Sequence, residues 1–504
     1  MGEAKRKQLL TKSDYVLDTF GGRVNVRWDE QATATAQGQL AFFVDFLSTT
    51  GVFEAWVKDC PLRYTSPNAS KPRDILGTLL LSVLAGHNRY SHVTGLRSDG
   101  ASAHVLGMTN IASEDAVRRA LGRISIEQSA MWLQKHLSIS VQPALDHDWI
   151  LDIDTTIKPL FGKQEGAIVS YNPHKPGRPS HALHSYFVGN LRLVLDVDVS
   201  AGDEHSSGHT LPNLTRLLGC YDANTRPKLV RGDCGFGNDP FISTLEDLKQ
   251  PYLLKIRKTK SVQRLIATLF NEKGWTQPKA GDQGWSAIES ELKLAGWACN
   301  RRVIVLRREI KQDVMLARTA KKKSPQLDIL FPDSVTKAYE YAVLLSNSDY
   351  PIESFGQLYR DRADAENGFD ELKNQWGWGG FTTQDLARCQ TSARIVALIY
   401  NWWSWYCRSA NPDNRMEAIT SRPLLLAGVA RMTSHGNQKT LHLTTMHANA
   451  AYIKSMIANI QNALAYVRAS AEQLPKALDR WWLLLKYVIA KMKIPPIFLP
   501  IAVG

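Results

Sequence analysis

Apolar and polar positions run at helical spacing through the first part of the chain, and the pattern changes after Pro143. Residues 1 to about 145 read as helical. Arg73–Leu84 is an apolar helix, Gly86–Tyr90 a turn, and Val93–Leu96 the core of a second helix. Ser113 stands as N-cap before SEDAVRRALGRI, with acids in the first turn and Arg118, Arg119 and Arg123 along the helix. Beyond Pro143, Asp148–Asp154 alternates as a strand that sends Asp152 and Asp154 to one side and Trp149, Leu151 and Ile153 to the other. Strands at Tyr186–Val188 and Leu191–Val199 flank Gly189-Asn190, a helix covers Leu211–Leu218, and Lys228–Asp233 is a short strand ending in an acid. A helix through Phe241–Leu248 and a strand at Tyr252–Ile256 follow, giving the order βββαβαβ with acids on the first and fourth strands.

From Arg257 to about Thr336 the pattern is again different. This interval holds Lys321-Lys322-Lys323, three tryptophans (Trp275, Trp285, Trp297) and a strand-like Arg302–Arg307, and it reads as a largely β insertion. Tyr339–Leu345 is a further strand. The stretch Leu358–Trp376 then reads as one helix with three faces rather than two. Leu358, Ala365, Phe369, Leu372 and Trp376 make an apolar stripe. Arg360, Asp364, Asn367 and Glu371 take the solvent side. Between them Tyr359, Arg362, Glu366 and Lys373 fall within roughly 60° of one another. An aromatic-rich helix follows at Leu386–Tyr406, whose Trp402, Trp403 and Trp405 suit a core or subunit contact better than base stacking. The chain thus divides into a helical region at 1–145, an α/β core at 146–258 and 339–410, a β-rich insertion at 259–338, and a helical C-terminal region at 411–504, a candidate for dimerisation.

Composition narrows the setting. The 504 residues allow several cores, and 44% hydrophobic with 22% charged residues is ordinary for a globular chain. A net charge of +13 points to a polyanionic partner. The apolar runs at Ile75–Ala85 and Ile494–Val503 are too short to span a membrane, and MGEAKRKQ carries no signal-peptide core. Six cysteines (Cys60, Cys220, Cys234, Cys299, Cys389, Cys407) show no paired spacing, which argues against a disulfide framework or zinc site. A cytoplasmic protein is expected.

The order Y-x2-R-x3-E-x6-K, carried here by Tyr359, Arg362, Glu366 and Lys373, resembles the signature of the DDE transposases of bacterial insertion sequences, the YREK group. The resemblance covers roughly 148–376. It implies an RNase H-like mixed-sheet core interrupted by a β insertion, and an N-terminal DNA-binding region. Without it, Arg362 and Glu366 are an ordinary i,i+4 ion pair, Asp233 is a turn aspartate, and the basic N-terminal helices are either a helix-turn-helix or a bundle with solvated arginines.

The resemblance assigns Asp154, Asp233 and Glu366 as catalytic metal ligands, with Asp152 the rival of Asp154. Phosphodiester cleavage suits two divalent ions held by carboxylates, Mg²⁺ with Mn²⁺ as a substitute. Tyr359, Arg362 and Lys373 would position DNA at the cut. Lys255 and Arg257, with Lys258, would extend that track; Arg118 and Arg119 would bind DNA from the N-terminal region, and Lys175 and Arg178 are weaker candidates. Trp285 or Trp297 is a candidate to stack a flipped base, although burial is the commoner use of either. The expected activity is binding of terminal inverted repeats in double-stranded DNA, cleavage at the ends and joining of the 3′-OH to target DNA, by a homodimer. A structure-selective nuclease without strand transfer and a non-catalytic DNA-binding regulator are the alternatives.

Overall fold

The computed structural model describes residues 15–492 apart from 27–28, 30–31, 65, 67, 171, 173–174, 205, 279–282, 311–338 and 445–447. Lys5–Lys7, Lys321–Lys323 and Ile494–Val503 lie outside the described residues. Nine strands form one mixed sheet: β1 (Ile150–Pro159), β2 (Ile168–Val169), β3 (Pro179–Val188), β4 (Leu193–Ala201), β5 (Leu229–Gly232), β6 (Tyr252–Lys255), β7 (Trp285–Leu292), β8 (Arg301–Glu309) and β9 (Tyr339–Ser346). Their spatial order is β7-β8-β9-β6-β5-β1-β3-β2, with β4 also paired to β3. β1, β5 and β6 are parallel neighbours, and every other pairing is antiparallel.

β1 runs past Asp154 to Pro159, longer than its alternation at 148–154 suggested, because Thr155 to Pro159 pair with β3. The β character expected between 259 and 338 is present in β7 and β8, after a helix at Lys260–Leu269. These strands join the core sheet edge through β9, which pairs with β6.

Helix α1 (Glu114–Leu121) opens with Ser113 as its N-cap, the side chain accepting from Ala116 N–H at 3.2 Å. The terminal regions are not purely helical. A hairpin at Tyr15–Thr19 and Gly22–Val26 precedes the N-terminal helices. Ala34–Thr35 pairs with Ala430–His435, itself in a hairpin with Gln438–Leu443, so the two ends of the chain share a small sheet. Strand pairing across nearly 400 residues has no local periodicity to betray it.

The packing centre is a helix at Leu386–Ala410, buried along almost its whole length. Its Trp402 meets Trp56 edge-on at 5.4 Å, and Trp56 stacks on Trp132 at 5.5 Å. Trp402, Trp403 and Trp405 are at most 1% exposed and serve the core. Among the described residues no single helix is long and apolar enough to cross a membrane.

Candidate active site

The stretch expected to be a single helix is two, α2 (Phe355–Arg360) and α3 (Ala363–Gln375). The Leu358 carbonyl accepts from Arg231 Nη1 and does not receive the Arg362 N–H. That N–H turns instead to the Tyr359 carbonyl at 3.2 Å, a tighter i−3 bond, and the helix breaks at Asp361-Arg362. Glu371 also departs from the solvent side assigned by the helical wheel. It is 2% exposed, its Oε1 accepting from Trp376 Nε1 at 3.2 Å and Ala418 N–H at 3.0 Å, while Oε2 pairs with Arg415. The C-terminal region thereby clamps α3. Glu371→Ala should cost about 3–5 kcal/mol, the usual penalty for stranding a buried charge. Glu371→Gln keeps an acceptor for both N–H groups but still strands the Arg415 charge, so it should cost less than alanine yet remain clearly destabilising; no loss in either variant in denaturant unfolding would refute the clamp.

The parallel pairing of β1 with β5 sets Asp152 opposite Arg231. Two residues further on, Asp154 and Asp233 leave the same edge of adjacent strands, which lie about 4.8 Å apart in a sheet. Asp152 is fully buried, its carboxylate accepting from Arg231 Nε at 2.6 Å and Nη2 at 2.7 Å. Asp233 Oδ1 accepts from Gly235 N–H at 2.9 Å, the turn use anticipated for it. Burial pushes the Asp154 carboxyl up to about 6; Arg362 works against that rise, and Asp233 adds to it.

Arg362 sits between the carboxylates. Its Nη2 donates to Asp154 Oδ1 at 3.0 Å and to the Ile153 carbonyl at 3.4 Å, and its Nη1 to Glu366 Oε1 at 2.7 Å. Burial disfavours its charge, but Asp154, Tyr359, Asp152 and Glu366 together hold it firmly protonated. Burial raises the Tyr359 hydroxyl to about 12, and Lys255 Nζ lies 5.8 Å from the centre of its ring. Lys373 is partly buried, its pKa lowered by desolvation with Asp154 and Asp370 opposing. Asp154, Asp233, Tyr359, Arg362, Glu366 and Lys373 are thus one electrostatically coupled group.

The remaining candidates are more dispersed. Arg257 and Lys258 are exposed just past β6. Arg118 pairs with Glu114 at 3.2 Å and Asp115 at 2.6 Å, yet lines a groove with Lys373; Arg119 donates to the Asp115 carbonyl. Lys175 and Arg178 lie 4.9 and 4.5 Å from the Phe161 ring centre. Trp297 is buried with its Nε1 on the Gly237 carbonyl, and Trp275 is buried too, which leaves Trp285 partly open. Lys158 and Phe161 were not anticipated, because β1 was read as ending at Asp154. The signal was present: Lys158 continues the same-face alternation of Asp152, Asp154 and Thr156.

An all-carboxylate donor set suits a hard divalent cation. Among the described residues no three or more His, Cys, Asp or Glu side chains are arranged to hold one. Arg362, bonded to both Asp154 and Glu366, occupies the space between two of the three.

No curated protein sequence matches the chain. Among solved structures it is similar to a piggyBac transposase in a synaptic complex with hairpin DNA, at 12% identity over 92% of this chain and 88% of that one, with a TM-score of 0.34. The family model for the transposase DDE domain, group 1, matches residues 51–465. The chain therefore belongs to the DDE transposase family, a family of DNA-cutting and DNA-joining enzymes.

Proposed function

We propose that this protein is an insertion-sequence transposase that binds the terminal inverted repeats of its element, cuts at the ends and joins the freed 3′-OH to target DNA. The observation that carries this is the register of β1 against β5, which brings Asp154 and Asp233 to one edge, with Glu366 tied to Asp154 through Arg362. The sheet, with its parallel centre and the acids at strand ends, supports an RNase H-like core. Asp154, Asp233 and Glu366 are the residues that would hold a divalent metal, Mg²⁺ by donor type, once Arg362 leaves the space between Asp154 and Glu366; that ion would supply an activated water and neutralise charge on the phosphate. Full burial and a two-point pairing with Arg231 favour Asp154 over Asp152 for that role.

Each remaining residue has a task set by its surroundings. Arg362 orients Asp154 and Glu366 by bonding both, and its charge opposes the rise that burial imposes on Asp154. Lys373, Tyr359 and Lys255 face the same edge and position backbone phosphates, with Arg257, Arg118 and Arg119 extending the contact. The enzyme works in the cytoplasm on double-stranded DNA, as a homodimer in the DNA complex. Incubating the protein with labelled linear DNA bearing the element's ends, with and without Mg²⁺, tests the reading. Strand-transfer products are expected. Cutting without joining would indicate a nuclease, and binding without cutting a regulator.

A further inference from the structure

Lys158 lies on β1 four residues beyond Asp154, on the same face. It is 5% exposed, and its ammonium donates to the Gly380 carbonyl at 2.7 Å. An ammonium carries three donors, and a buried one is costly without a counter-ion. No carboxylate pairs with Lys158 among the described residues, and desolvation lowers its pKa. The residue lines a groove of about 610 Å³ together with Arg89, Arg118, Lys373 and Phe161. Lys373 lines the groove and feels the Asp154 charge, and Thr156, two residues past Asp154 on β1, lines it too, so the groove lies beside the carboxylate edge. Further along the groove lining, Phe161 is 70% exposed, with Lys175 and Arg178 over its ring.

A groove of this volume has room for a short length of single strand. We propose that it binds unpaired nucleotides of the DNA substrate beside the cut, Lys158 and Lys373 taking backbone phosphate and Phe161 stacking a base. This rests on the reading that the neighbouring carboxylates cut DNA. Lys158 then gains the anion its burial calls for. A base on Phe161 replaces one of two exposed cation–π contacts, which are weaker than base stacking, and frees that cation for the next phosphate.

The test uses the full chain in EDTA, so that binding is read without cutting. The probes are a blunt duplex and the same duplex with a single-stranded overhang carrying iododeoxyuridine for photocross-linking. The overhang DNA should bind about tenfold more tightly, as expected for a stacked base, and cross-link to the peptide containing Phe161. Phe161→Ala should lose both the preference and the cross-link, and Phe161→Trp should regain the preference. Lys158→Met should lower the salt slope for overhang DNA by about 0.7, one phosphate's worth on a single strand. Should Lys158→Met fail to fold, the exposed Phe161→Ala decides. Wild-type affinity of Phe161→Ala for overhang DNA, or a cross-link on the peptide carrying Trp285, would overturn the proposal. Wild-type protein that cuts with Mg²⁺ yet shows no overhang preference refutes the groove alone; protein that never cuts refutes the function beneath it.

Discussion

Alanine at Asp154, Asp233 or Glu366 is expected to reduce Mg²⁺-dependent DNA cutting by roughly a thousandfold or more. Charge stabilisation by a held cation is worth several kcal/mol in such a reaction, and each 1.36 kcal/mol is about tenfold in rate. DNA binding should survive, because affinity comes mainly from cations on phosphates. Asp154→Ala is the most informative of the three. Its carboxyl is buried beside Asp233 and already resists ionisation, so removal relieves one charge while leaving Arg362 paired to Glu366 alone. Asp152→Ala should behave differently: it strands the buried Arg231 guanidinium and should cost about 3–5 kcal/mol of stability. A folded Asp154→Ala protein that still cuts, set against a folded but inactive Asp152→Ala, would reverse the assignment of the first acid.

Arg362→Ala is expected to lower cutting by at least about a hundredfold and to destabilise the fold by about 3–5 kcal/mol, since Asp154 would lose its partner in a buried setting. The resemblance to YREK transposases implies a phosphate contact for this arginine. In this structure its Nη1 and Nη2 bond Glu366, Asp154 and the Ile153 carbonyl, its buried Nε has no partner among the described residues, and we propose that it serves the carboxylates rather than a phosphate. The salt slope of DNA binding in Arg362→Lys should therefore match wild type, whereas Lys373→Ala should lower it by about one. Arg362→Lys should fold and cut poorly, because one ammonium cannot reproduce the fork that reaches two carboxylates. Full cutting by Arg362→Lys, or a reduced slope with Arg362→Ala, would return the residue to a phosphate-binding role.

Much of this site was legible in the chain because it rests on local periodicity. Alternation put Asp152 and Asp154 on one face of a strand, a short strand ended at Asp233, and a fifteen-residue pattern joined Tyr359, Arg362, Glu366 and Lys373. The family followed from residue order and spacing, and the resemblance then proposed three acids. Alternation could not separate Asp152 from Asp154, since two residues on one face look alike until the partner strand is known. Arg231, contributed by β5 and 79 residues away, sets the two apart by pairing with Asp152.

Only the tertiary structure decided which backbone and side-chain groups find partners. A helical wheel assumes one unbroken helix; the Leu358 carbonyl meets Arg231, the Arg362 N–H turns to Tyr359, and the helix breaks at Asp361-Arg362. The same wheel put Glu371 in solvent, whereas Arg415 and Ala418, distant in sequence, bury it. Lys158 drew no reading from the sequence; the Gly380 carbonyl that receives its ammonium lies 222 residues further along the chain. Periodicity reports which way a side chain points from its own element. Which group meets it there is settled by segments far along the chain, and that meeting determines whether a charge is free, paired or buried.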